Sequence, residues 1–192
     1  MGGPESAVRM NRVLVERAQG GDRDAYEQLA RGAARSLFLV ASRILRDTDA
    51  AEDAVQHALV AIWRDIGTLR DPDRFEAWAY RLVVRACRTV GRRERRLGIA
   101  LVDLSETIAV VRDDIADVAT RDQLGRAFDA LSQDHRAVVV LHHLIGLTLG
   151  EIAEILDVPY GTVGSRLHHA MRSMRASLDA AERSTVTGGQ PA

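Results

Sequence analysis

Apolar residues in this chain return every three or four positions, almost without interruption, over two long stretches. The clearest run is Tyr26, Leu29, Ala30, Ala33, Leu37, Val40, Ala41, Ile44 and Leu45. That step brings a side chain back to the same face of an α-helix, whereas a half-buried strand needs a step of two. No segment alternates as a strand does, and there is no long-period repeat. Aromatic residues make up only 4% of the chain, so its cores must be built from Leu, Val, Ile and Ala, which suits helix packed on helix. The expected fold is all-α: two small helical domains joined by a flexible acidic linker, the C-terminal one containing a helix-turn-helix.

The punctuation of these stretches sets the expected boundaries. Residues 1–10 read as a polar tail and 11–96 as an N-terminal helical domain. Gly20-Gly21-Asp22 breaks the pattern, and Asp22 can cap the next helix. Asp49 with Glu52 is a helix-start signal, Gly67 a stop, and Asp71-Pro72 another start. Residues 97–119 read as the linker; they carry Asp103, Glu106, Asp113, Asp114 and Asp117 against the single Arg112. Residues 120–181 form the C-terminal helical domain, with Ser132 as a cap and Gly146 as a stop, and 182–192 a second polar tail.

Several function classes fall away. There is no nucleophile–base pair, phosphate loop or pair of catalytic carboxylates, so the chain does not read as an enzyme, and no cofactor is expected. His142-His143 and His168-His169 are sequence neighbours; such residues point about 100° apart on a helix and chelate poorly, so no metal is expected. Cys87 is the one cysteine and fits a reducing compartment, most simply as a buried, inert thiol. No run approaches the ~20 apolar residues of a membrane span, and residues 1–10 lack a signal-peptide pattern. The expected location is cytoplasmic, with no membrane contact of its own.

Two basic features remain. The formal net charge is -1, yet all 26 basic residues are arginine, the side chain best shaped for bidentate contact with phosphates and bases; a GC-rich genome also explains that usage. Arg81, Arg85, Arg88 and Arg92 are spaced four, three and four, which puts them on one helical stripe, and Arg93 extends it. Trp78, Leu82, Ala86 and Val90 are assigned to the core face. In the C-terminal stretch, Thr148-Leu149-Gly150-Glu151 is a Thr-x-x-Glu capping box, and Asp157-Val158-Pro159 is a tight break. A second helix then begins, with Val163, Leu167, Met171, Met174 and Leu178 facing inward. Two short helices on such a turn form a helix-turn-helix, whose second helix enters the major groove of DNA. Thr162, Ser165, Arg166 and His169 lie on its outward face, and residues 160–177 contain no acid, as a line of phosphates requires.

These blocks together resemble the extracytoplasmic-function (group IV) sigma factors of bacterial RNA polymerase, over about residues 11–178. The matching residues are Gly21-Asp22 with Ala25-Tyr26 and Leu29; Ala51 to Gln56 with Leu59 and Trp63; Phe75 to Trp78 with Arg92-Arg93; Ala130-Leu131; and Gly146 to Thr148, Glu151 to Ala153 and Gly161 to Val163 with Ser165 to Leu167. The resemblance implies a factor that directs core RNA polymerase, through its β′ and β subunits, to promoter DNA for a stress or environmental regulon. Glu52, Asp53, Gln56, Leu59 and Trp63 would face the polymerase. Trp78, Arg81, Arg85, Arg88, Arg92 and Arg93 would hold the minus-ten region, with a flipped base in a nearby pocket. Thr162, Ser165, Arg166 and His169 would read the upstream element, the linker would run toward the RNA exit path, and an anti-sigma protein would mask these surfaces. The chain departs from the family pattern at Arg85, Thr89, Gly164, His169 and Met171. A stand-alone helix-turn-helix regulator would use only the C-terminal block. A non-initiating protein that binds polymerase or an anti-sigma partner would use the docking block without opening DNA.

Overall fold

The structure is a computed structural model, and it describes the backbone of residues 4–96 and 115–187 and the side chains of 12–93 and 122–180. Within these residues all regular structure is helical. The helices are α1 (Pro4–Gln19), α2 (Arg23–Leu45), α3 (Thr48–Asp65), α4 (Phe75–Arg96), α5 (Ile115–Asp129), α6 (Gln133–Val139), α7 (Leu149–Leu156) and α8 (Tyr160–Thr187). They fall into two compact units, one built on α1–α4 and the other centred on α5, α6 and α8.

In the first unit, α2 and α3 each start where a short acidic side chain holds an otherwise unpaired backbone N–H. Asp22 accepts from the Ala25 N–H at 3.0 Å, and Arg17 donates to the same carboxylate at 2.7 Å. For α3 the cap is Asp47, accepting from Ala50 N–H at 2.8 Å. Asp49, expected to open this helix with Glu52, instead lies in its first turn, where its charge still favours the helix dipole. Asp71 caps a 3-10 turn at Pro72–Arg74, and α4 proper begins at Phe75. Leu37, Val40 and Ile44 of α2, Ala54 and Ile62 of α3, and Val83, Val84 and Cys87 of α4 make the buried centre. On α4 the buried row runs through Phe75, Ala79, Val83, Ala86 and Val90; Trp78 and Leu82, assigned to the core by period alone, are only half-buried at its edge.

The residues read as an N-terminal tail continue helically from Pro4 into α1. The far end of α1 is tied to the connection between α3 and α4. Gln19 donates to the carbonyls of Ile66 (3.1 Å) and Leu69 (2.7 Å), and Arg12 pairs with Asp73 at 2.6 Å. In the C-terminal half, α5 begins at Ile115, inside the span read as linker, and α8 runs on to Thr187. The rest of that linker, residues 97–114, lies outside the described residues.

In the second unit, Ala127, Leu131, Val139, Ala170 and Met174 form the core, with Phe128, Leu167 and Leu178 packed against it. Ser132 caps α6 by accepting from the His135 N–H. The chain then widens into a π turn at Val140–Leu144 and stops at Gly146, whose φ of 85° suits glycine. Met171, expected inside, is 36% exposed; Ala170 takes the inward place and Leu167 is half-buried.

Burial dominates the chemistry of Cys87. Its thiol is fully buried, and that desolvation pushes it up from about 9 to about 12. The arginines of α4 therefore do not activate it. A thiol reagent at neutral pH should label Cys87 only at the rate at which the domain opens, and completely after denaturation; rapid labelling of the native protein would overturn this. The sign of the linked stability effect follows. The native thiol keeps its proton where the unfolded one loses it, so this contribution is full below pH 9 and is lost as pH climbs toward 12.

Candidate polymerase and nucleic-acid interfaces

Three helix faces gather the residues singled out by sequence. On α3 the inward residues are Ala51, Ala54, Val55, Ala58 and Ile62. Helical period then turns Glu52, Asp53 and Gln56 outward, and all three are exposed. On the same side stand Val60, 64% exposed, and Trp63, 44% exposed. Trp63 is held edge-on against Tyr26 with ring centroids 4.7 Å apart, and the Tyr26 hydroxyl donates to the Leu59 carbonyl at 2.8 Å. Leu59 is thus half-buried, acting from beneath this face. The strip combines carboxylate, amide and exposed apolar groups.

On α4, Arg85, Arg92 and Arg93 are exposed, whereas Arg81, Arg88 and Trp78 are half-buried. The Trp78 ring lies 6.3 Å from that of Phe75. The Thr89 hydroxyl donates to the Arg85 carbonyl at 3.1 Å and receives Arg92 Nη2 at 3.5 Å, so Thr89 satisfies itself within the stripe and adds no negative charge to it.

The third face is built by the helix pair α7 and α8. The capping box closes as its residue types require: Thr148 N–H donates to Glu151 Oε2 at 2.8 Å, the Thr148 hydroxyl bonds the same oxygen at 2.7 Å, and Glu151 N–H returns to that hydroxyl at 3.3 Å. The turn places Asp157 at φ 57°, in the left-handed region that Asp tolerates, and α8 starts at Tyr160. On α8, Val163 and Ala170 are buried, Ser165 and His169 are exposed and Thr162 is half-buried. No neighbouring atom lies within 4 Å of where a Cβ on Gly164 would sit, so packing does not require glycine there.

The chain matches two family models side by side: Sigma-70 region 2 over residues 26–97, and Sigma-70, region 4 over residues 121–174. It is 33% identical to the ECF RNA polymerase sigma factor SigM of Mycobacterium tuberculosis over 162 residues, spanning 84% of this chain and 81% of that protein. The chain belongs to the ECF sigma factors. A second relative, the ECF RNA polymerase sigma-E factor of Escherichia coli K12, is 28% identical across 85% of this sigma factor and 92% of its own length. Among solved structures, CnrH in complex with the cytosolic domain of CnrY is 28% identical with a TM-score of 0.62, covering 89% of this chain and 98% of that one. RpoE of Bartonella quintana, solved with the anti-sigma factor NepR, shares the fold at a TM-score of 0.63 and 22% identity, over 80% of this chain and 96% of that one.

Within the sigma factor, each group of expected residues stays on its own helix, but not all share one exposure. Glu52, Asp53, Gln56 and Trp63 form a continuous face, and Val60, which the sequence reading missed because Val reads as core by residue type, joins them. Arg166 does not stand on the outward face of α8. Only 23% of its side chain is exposed, and its Nη2 pairs with Asp134 of α6 at 2.7 Å. Sequence spacing alone could not show this, because the partner lies 32 residues away.

Proposed function

We propose that this sigma factor binds core RNA polymerase through the outer face of α3, lays the arginine stripe of α4 along promoter DNA near the minus-ten region, and reads the upstream element with the first turns of α8. It thereby directs initiation at a stress or environmental regulon, as a group IV factor working in the cytoplasm. The observation that carries the reading is the occurrence, on one chain, of both sigma modules, each with an exposed face of fitting chemistry: a polar and apolar strip on α3 and an acid-free start to α8. Glu52, Asp53, Gln56, Leu59 and Trp63 serve docking. Trp78, Arg81, Arg85, Arg88, Arg92 and Arg93 serve the minus-ten region. Thr162, Ser165 and His169 serve the upstream element. An anti-sigma protein that covers one of these faces fits the CnrH complex, in which a cytosolic domain is bound.

Two small modules gain avidity for DNA only when something fixes their spacing. The free protein should therefore bind DNA weakly and without sequence preference, and bind specifically once assembled with core polymerase. Run-off transcription with purified core polymerase and a promoter library tests the reading directly. A tight, sequence-specific gel shift without polymerase would instead support a stand-alone regulator, and core binding without transcripts would support a non-initiating partner.

A further inference from the structure

The recognition helix α8 carries one arginine in its first two turns, Arg166, and the structure turns it away from the groove-reading side. Its guanidinium meets Asp134 on α6 at 2.7 Å, with side-chain exposures of 23% and 43%. The Nη1 group is buried and has no hydrogen-bond acceptor among the described residues. A guanidinium that has given up water on one side and is held by a carboxylate on the other is a poor candidate for a base contact, which needs the fork free and pointing outward. The carboxylate is equally telling. Asp134 is a partly exposed acid beside a helix meant to lie against phosphates, where an unpaired negative charge weakens binding.

We propose that Arg166 and Asp134 form a strut that fixes the tilt of α8 on α6, so that both are positioning residues for sequence discrimination while Thr162, Ser165 and His169 make the base contacts. The pair joins the two helices within the segment of α8 that carries the residues offered to bases. On α8, Val163 is fully buried on the N-terminal side of Arg166, and Leu167, Ala170, Met174 and Leu178 pack on its C-terminal side, while the residues offered to bases lie at positions 162–169. Apolar packing sets how deep α8 sits, and the ion pair adds a directional tie to α6 at the reading end. This inference rests on the reading of α8 given under the proposed function.

The test uses the sign of the Asp134 effect. Holoenzyme affinity is measured on a promoter with its preferred upstream element and on one with that element scrambled, at several salt concentrations, for the wild type, Asp134→Asn, Arg166→Ala and the double variant. A strut predicts that Asp134→Asn, although it removes a negative charge, lowers the preferred-to-scrambled ratio about tenfold, that Arg166→Ala does the same, and that the double variant loses no more than either alone. The salt dependence stays as in the wild type, because no phosphate contact is lost. If Asp134→Asn preserves or raises the ratio while Arg166→Ala lowers it, Arg166 reads bases and the strut is overturned. A salt slope that falls by about one unit in Arg166→Ala overturns it too, since Arg166 is then a phosphate clamp. A wild-type holoenzyme that fails to distinguish the two elements overturns the reading of α8 itself, which is a separate failure.

Discussion

Replacing Asp53 and Gln56 with alanine should weaken binding to core RNA polymerase by about 2 kcal/mol or more, roughly thirtyfold, while leaving the helix content unchanged. Both side chains are exposed on α3, and exposed substitutions away from caps usually move stability by under ~0.5 kcal/mol. The neighbouring apolar groups permit a second, independent probe. Val60 is 64% exposed, so its burial contributes little to the fold, and Val60→Glu would put a charge into the dry centre of the docking face. It should reduce core affinity by a similar amount without lowering the unfolding temperature. Trp63 is the poorer choice, because it also packs on Tyr26 at 4.7 Å, and its removal would mix docking with stability. Titration of labelled core polymerase reads the effect. Core affinity unchanged in both variants would move the docking surface off α3.

What sequence showed and what it hid divide along a physical line. Most interactions closed within four residues were legible: the Asp22 cap, the Thr148–Glu151 box, the Ser132 cap and the stop at Gly146 all appear as the residue types demand, although α3 is capped by Asp47 and not opened by Asp49. Here the donors and acceptors lie one helical turn apart, so spacing determines geometry. Contacts spanning many residues were not legible. The Arg166–Asp134 pair, the reach of Gln19 to the carbonyls of Ile66 and Leu69, and the Arg12–Asp73 pair depend on how helices pack. Arg166 could be placed on α8 but not oriented around it. The same limit explains Met171 and Ala170. From Leu167, the three-residue step to Ala170 and the four-residue step to Met171 both fit one helical face, and residue size favoured methionine for the interior. The packed core admits the small Ala170 instead, with no exposed surface, and the longer side chain stays at the rim. Helix ends were blurred for a related reason: α1 and α8 begin or continue through polar residues, which tolerate a helix without signalling one.

Replacing Arg85, Arg92 and Arg93 together with alanine should flatten the salt dependence of holoenzyme–promoter binding by ~2–3 units of slope, and should weaken promoters with matched and scrambled upstream elements alike. Phosphate contacts position a protein on DNA without reading its sequence, and each contact formed releases ~0.9 of a counterion on duplex and ~0.7 on single strands, which a lost contact no longer does. The choice of residues follows exposure. Arg85, Arg92 and Arg93 are exposed, whereas Arg81 and Arg88 are half-buried and would lose packing along with charge. A structural role is separated from a DNA role by the sign of the stability change. Rows of like charge cost a few tenths of a kcal/mol per pair on an isolated helix, and the nearest acid in this row is Glu94. Removing three of these charges should therefore leave the unfolding temperature unchanged or slightly raised while DNA binding falls. Affinities on both promoters between low and moderate salt, with thermal unfolding of the free protein, provide the two readings. A slope equal to that of the wild type would take the stripe off the phosphates. A loss confined to one promoter sequence would make these arginines base readers. A lowered unfolding temperature would mean that their aliphatic stems, rather than their charges, are what α4 needs.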